Sequence, residues 1–168
     1  MPRSFDMAAE YEGSVEQVHQ AFRDEQYWLH RLADSGVDDY SLDTMEVGPD
    51  GSIDVKTTQV LRADRLPGWV HQFYRGAVRI LREEKWTAIT DGQASAEVIG
   101  SVPGAPASLS GKAVLRPTEK GSRLEFKVTV EVGIPLVGGK IENLIGGLVA
   151  DLLIAEQRFT TGWIAENT

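Results

Sequence analysis

Cysteine is missing from this 168-residue chain, which excludes disulfides, thiolate metal sites and thiol nucleophiles. Histidine is scarce. His19, His30 and His71 stand far apart with no His-Glu-x-x-His spacing, so neither a metal nor any other cofactor is expected. Positive charge is also in short supply: 17 Lys and Arg against 25 Asp and Glu give a net charge of −8. The basic residues form no run, which argues against nucleic acid, whose binding rests on neutralising phosphates. The same acidity disfavours anionic membranes. No apolar run reaches the roughly 20 residues of a membrane span, and Met1 to Asp6 lacks the core of a signal peptide. A cytoplasmic location is expected. Nucleophile elbows and phosphate loops are absent too. The neighbouring acids Asp38-Asp39 and Glu83-Glu84 would point to opposite faces of extended chain.

What is present is patterning. The length predicts one domain, residues 1–168, large enough to bury roughly 70% of its unfolded surface. Ile141, Leu144, Ile145, Leu148, Val149, Leu152, Leu153, Phe159 and Trp163 recur at spacings of three and four, the period of a helix with one buried stripe. From Gly139 to Glu166 that helix would run about 42 Å at roughly 1.5 Å per residue. Glu142 falls in its expected first turn. Gly146-Gly147 in the middle marks either close packing on a sheet or a gap that a ligand fills.

Ahead of it, Arg3 to Tyr11 alternates as a half-buried strand. Ser14 with Gln17 forms a capping box for a short helix bearing Val15, Val18 and Phe22. Asp24 caps a second, with Tyr27, Trp28, Leu32 and Ala33 inward and Gly36 as the stop. His19 and His30 are expected to face solvent. Six strand patterns follow: 40–47, 52–62, 77–89, 93–101, 108–116 and 123–132. Their turn signals include Pro49-Asp50-Gly51, Asp91-Gly92 and Lys120-Gly121. Leu66 to Tyr74, with Pro67 at its start and Gly76 at its end, reads as a turn or two of helix over one end of the sheet.

The fold class is therefore α+β. The segment order resembles the helix-grip fold of the START-like (SRPBCC) superfamily. Leu66-Pro67, Glu84-Lys85-Trp86, Gly111-Lys112 and Ile134-Pro135-Leu136-Val137-Gly138-Gly139-Lys140-Ile141-Glu142 resemble an uncharacterised domain-of-unknown-function branch of it. The resemblance implies a seven-stranded curved antiparallel sheet wrapped around a long C-terminal helix, with two short helices after the first strand. It also implies a deep apolar pocket between sheet and helix.

Ala94, Ala96, Gly111 and Ala113 are small inward candidates. They either let the helix sit close or leave volume. Residues expected to line a pocket are Trp69, Phe73, Trp86, Ala96, Ala113, Leu115, Phe126, Leu148 and Leu152, each of which would serve equally as ordinary core. Three readings follow. One is binding, sequestration or transport of a small hydrophobic ligand such as a lipid, isoprenoid or polyketide-like molecule. The second is a polyketide cyclase or dehydratase-like enzyme using His71 and Tyr74, or Glu84 and Arg82. The third is an interaction module with a filled core. The glycine-rich loop 132–139 either merely turns the chain or presents N–H groups to an anionic ligand. Aspartate at Leu148 is expected to unfold the domain by placing a charge against the sheet.

Overall fold

The computed structural model describes residues 2–72 and 74–167. Its elements are β1 (Arg3–Tyr11), α1 (Val15–Phe22), α2 (Glu25–Asp34), β2 (Asp39–Val47), β3 (Ile53–Leu61), β4 (Val78–Trp86), β5 (Ala94–Ser101), β6 (Ala107–Pro117), β7 (Ser122–Val132) and α3 (Gly138–Glu166). The strands form one antiparallel sheet in the order β1-β7-β6-β5-β4-β3-β2, so six strands run as a meander and β1 joins β7 at the far edge. This is the expected helix-grip arrangement.

Local chemistry sets the boundaries. Ser14 and Gln17 close the reciprocal capping box on α1, and Asp24 accepts the Gln26 N–H at the start of α2. Asp91 and Gly92 both adopt positive φ, 55° and 77°, as a type I′ hairpin turn requires. The segment before β4 is tighter than expected, two 3-10 turns at Ala63–Arg65 and Gly68–Gln72.

Register aligns the concave face in rows across the sheet. The first runs Ile53, Trp86, Ala96, Ala113, Phe126, Met7. The second runs Val55, Glu84, Val98, Gly111, Val128, Phe5, and the third Thr57, Arg82, Gly100, Leu109, Val130, Arg3. Further along β3 and β4 come Gln59 opposite Ile80 and Leu61 opposite Val78.

Small residues in these rows make room for their neighbours' rings. A Cβ on Gly111 would collide with the Phe126 ring. The Phe22 ring packs 5.0 Å from Trp86, and Trp86, Ala96, Ala113 and Leu115 share one cluster with Val15, Val18, Phe22, Tyr27, Trp28 and Leu153. That end of the sheet is filled.

Helix α3 sits with a different side down from the one its leucines predict. Its buried residues are Gly138, Glu142, Gly146, Leu153, Thr160 and Ile164, whereas Leu148 is 57% exposed. The cause is Gly146: a Cβ there would lie 2.5 Å from the Phe5 ring, so only glycine lets the helix descend onto β1. Close packing is thus what this glycine provides, while a Cβ on Gly147 would meet nothing within 4 Å. Closest approach of α3 is to β1 and β7, and Arg3 of β1 donates to Asn143 on that flank. Glu142 lies beyond the first turn, fully buried, and accepts the Val132 N–H at 2.9 Å. The Arg3 Nε stands 3.6 Å from its other oxygen.

Two further expectations are corrected. His19 is buried, because it lies one turn after Val15 on the inner face of α1, with Nε2 2.9 Å from the Thr87 carbonyl. Ala33 is exposed, one step off the inner face of α2 that Trp28, Arg31 and Leu32 occupy.

Candidate functional site

Four charged side chains meet where α2, β4 and α3 converge. Arg31 occupies the buried face of α2, its guanidinium 4.6 Å from the Trp28 ring centre. Arg82 and Glu84 alternate inward on β4, and Glu156 hangs from the underside of α3, four residues before buried Thr160. Arg82 grips Glu156 through two bonds of 2.7 and 3.0 Å and reaches Glu84 at 3.0 Å. Arg31 contacts Glu156 at 2.7 Å and Glu84 at 3.3 Å. Both acids therefore touch both bases, and the quartet carries no net charge.

Its protonation follows from that geometry. Burial alone would raise the Glu156 carboxyl, but the Arg31 and Arg82 guanidiniums overcome it and lower the group from 4.5 to about 2. Desolvation would lower the guanidiniums, yet the two glutamates hold both above the ordinary arginine value. Hydrogen bonds extend the network. Arg31 donates to the Tyr27 oxygen at 3.2 Å, and Tyr27 O–H lies 2.6 Å from Thr160 Oγ1. Thr160 in turn donates to the Glu156 carbonyl at 2.7 Å. The Trp86 indole N–H reaches Glu84 at 3.3 Å, supplying the partner a buried indole needs. Burial also pushes the Tyr11 and Tyr27 phenols up, so both remain protonated donors.

Beside the quartet is a cavity of about 10 Å³, lined by Trp28, Arg31, Leu32, Ser35, Thr57, Gln59, Arg82, Glu84 and Glu156. From it the sheet continues into half-buried apolar residues: Ile80 after Arg82, Leu61 after Gln59, and Leu109 two strands away. On α3, one and two turns before Glu156, stand Leu152, half-buried, and Leu148, exposed. Because Arg3 holds the other flank of the helix, helical geometry turns the flank carrying Leu148 and Leu152 toward β4 and β5. Trp69 stands at the far end, its ring 4.9 Å from the Lys140 amine near the α3 N-terminus. These half-buried and exposed apolar residues thus adjoin a polar corner.

The predicted residues divide between two places. Trp86, Ala96, Ala113 and Leu115 belong to the filled cluster, with Phe126 packed against it. Trp69 and Leu152 are half-buried and Leu148 is exposed, outside that cluster. Leu148 is exposed rather than buried against the sheet, for the reason given by Gly146. Phe73 lies outside the described residues. His71 and Tyr74 are half-buried, and the Tyr74 hydroxyl donates to the Pro103 carbonyl at 3.3 Å. In the loop before α3, the Gly138 N–H bonds the Ile134 carbonyl and the Val137 N–H the Pro135 carbonyl, so these donors serve the turn itself. Sequence reasoning missed Arg31 and Glu156 altogether. Arg31 follows Tyr27 by four residues and Glu156 precedes Thr160 by four, placing each on a buried face, but a charged residue at such a position ordinarily reads as solvated edge. A second, open depression of about 380 Å³ lies by edge strand β2, between Arg23, Glu25 and the Leu42–Thr44 bulge. None of the predicted residues borders it.

The geometry can be set beside known proteins. A family profile described as "Protein of unknown function (DUF2505)" matches residues 6–164. The uncharacterized protein Rv0481c of Mycobacterium tuberculosis is 49% identical over 173 residues, covering 99% of this chain and 99% of the relative. Among solved structures, TTHA0849 from Thermus thermophilus superposes with a TM-score of 0.61 at 18% identity, covering 100% of this chain and 99% of that one. The di-domain ARO/CYC StfQ from the steffimycin biosynthetic pathway gives 0.61 at 12% identity, over 99% of this chain and 52% of that one. At such identities the likeness establishes the helix-grip fold of START-like proteins and nothing finer. Among the described residues, no helix is long and apolar enough to cross a membrane.

Proposed function

The chain belongs to the DUF2505 family, and on that premise we propose that it binds a small hydrophobic molecule of lipid, isoprenoid or polyketide-like character in an apolar trough between α3 and the sheet. The observation that carries this reading is the placement of Leu148. A leucine 57% exposed, with half-buried Leu152 beside it and half-buried Ile80 and Leu109 on the sheet, supplies apolar surface that a ligand between helix and sheet would cover. An eight-carbon ligand burying its methylenes at about 0.8 kcal/mol each would gain roughly 6 kcal/mol, comparable with the cost of association, so retention through purification requires a longer apolar ligand. Native mass spectrometry of the purified chain tests the reading. A bound small molecule, released on denaturation, is expected. A bare mass, together with no rise in fluorescence of added anilinonaphthalene sulfonate, would sink it.

The cyclase or dehydratase reading draws support from the convergence of Arg82 and Glu84. Its weakness is that every charge in the quartet is already paired: a carboxyl held near 2 between two guanidiniums is a poor proton donor or acceptor at neutral pH. The pairing favours a binding protein over a catalyst.

A further inference from the structure

The small cavity beside the quartet has features that packing alone does not account for. Thr57 and Gln59 are each 6% exposed and both line it. Neither side chain has a hydrogen-bond partner among the described residues. Their polar atoms stay accessible rather than sealed in packed chain, so both are free to take a partner at the cavity they line. At about 10 Å³ the cavity accepts a single water-sized atom. It also lies at the head of the trough, since Gln59 and Leu61, Arg82 and Ile80, and Glu156 and Leu152 are successive inward residues on the three elements that wall it.

We propose that this cavity is the polar end of the ligand site, where Thr57 and Gln59 hydrogen-bond one neutral oxygen, an alcohol or a ketone, carried by an otherwise apolar ligand. The inference rests on the reading of the trough as a ligand site and names the ligand class. The oxygen is neutral because the quartet beside it is already balanced. Arg31 and Arg82 are each matched by Glu84 and Glu156. A carboxylate would bring a third negative charge into a desolvated corner without a free cation. It would also bring two oxygens to a space for one. An alcohol can donate to the Gln59 carbonyl and accept from Thr57, and a ketone can accept from the Gln59 amide.

The test compares 1-octanol, 2-octanone, octanoate and octane as probes of the intact chain, followed by two-dimensional amide NMR. Octanol and octanone are expected to bind about tenfold more tightly than octane or octanoate, the worth of one added hydrogen bond, and to shift the Gln59 side-chain amide signal. Gln59→Leu should reduce that preference to about twofold or less while leaving octane unchanged. Thr57→Val, nearly isosteric, is the second variant should Gln59→Leu lose its fold, and is expected to weaken octanol about fivefold. If octane and octanol shift trough residues equally and the Gln59 amide stays still, the polar end is refuted while the trough survives. Tightest binding by octanoate overturns the neutral oxygen. If no probe moves any trough residue, the trough reading fails and this inference with it.

Discussion

Helix α3 has two halves of similar apolar content and opposite surroundings. From Leu153 to Ile164 it is clamped: α1 and α2 lie alongside, and Tyr27, Phe159 and Trp163 pack together with ring centres 5.7 to 6.3 Å apart. From Gly138 to Leu152 it has β1 and β7 beneath, with Phe5, Ile141, Ile145 and Val149 around Val128 and Val130. Its other flank, bearing Leu148, stays open. Apolarity does not distinguish the halves. What differs is the supply of covering elements and the seat that Gly146 makes for the helix. A helix-grip sheet can thus be solid core at one end and less covered at the other, with the charged quartet at the border.

The border is the place to break this arrangement with the largest effect. Glu156→Gln keeps the shape and removes one charge, leaving Arg31 and Arg82 to share Glu84 in a buried site. Breaking a buried ion pair in this way costs about 3–5 kcal/mol, read as a lower urea midpoint at pH 7. Acid offers a second measurement of the same group. Since the folded Glu156 carboxyl is lowered from 4.5 to about 2, its stabilisation is complete above pH 4.5 and is lost as pH falls toward 2. The urea midpoint of the native chain should therefore drop more steeply from pH 5 to pH 3 than that of the Gln variant. Equal slopes would show that Glu156 is not held by the two arginines.

Next in size is a cavity in the closed half. Leu153 is 8% exposed within the main cluster, so Leu153→Ala should cost about 2–4 kcal/mol by thermal unfolding. A cost below about 1 kcal/mol, typical of surface sites, would mean that this end too is loose. The seat itself comes third. Gly146→Ala forces a methyl against the Phe5 ring, for which overpacking costs about 1–3 kcal/mol. Gly147→Ala, pointing into open space, should stabilise the helix by up to about 1 kcal/mol. Opposite signs from adjacent residues are the expected result, and like signs would contradict the helix orientation.

Why one half was legible in the sequence and the other less so follows from these same residues. Every strand of the meander lies within three residues of its expected ends, because alternation and the turns at Asp91-Gly92 and Lys120-Gly121 are local signals. The capping box at Ser14 is local as well. Helix orientation is not. The apolar stripe of α3 is wide enough to turn either Leu148 or Leu153 inward, and the residue that decides, Gly146, has no hydrophobicity to weigh. Its partner Phe5 lies 141 positions away in sequence. The quartet was half visible: Arg82 and Glu84 alternate inward on a strand, where the pattern exposes them, but Arg31 and Glu156 look like ordinary helix charges until three elements are brought together. His19 passed as a surface group for the same reason, since its partner is the Thr87 carbonyl, 68 positions away in sequence.

The smallest expected effect on stability is at Leu148, and there the two halves separate most cleanly. If the leucine faced the sheet, Leu148→Asp would bury an unpaired charge and unfold the chain. On the open flank, at 57% exposure, the same substitution should change stability by no more than about 0.5 kcal/mol. Its cost would appear instead in binding. Losing an apolar contact of this size and placing a carboxylate on the trough wall should weaken octane by about tenfold. Unfolding and binding measured on one variant therefore give independent answers: an unchanged melting temperature with weakened octane places Leu148 on a ligand wall. An unchanged melting temperature with unchanged binding would leave the trough as bare surface.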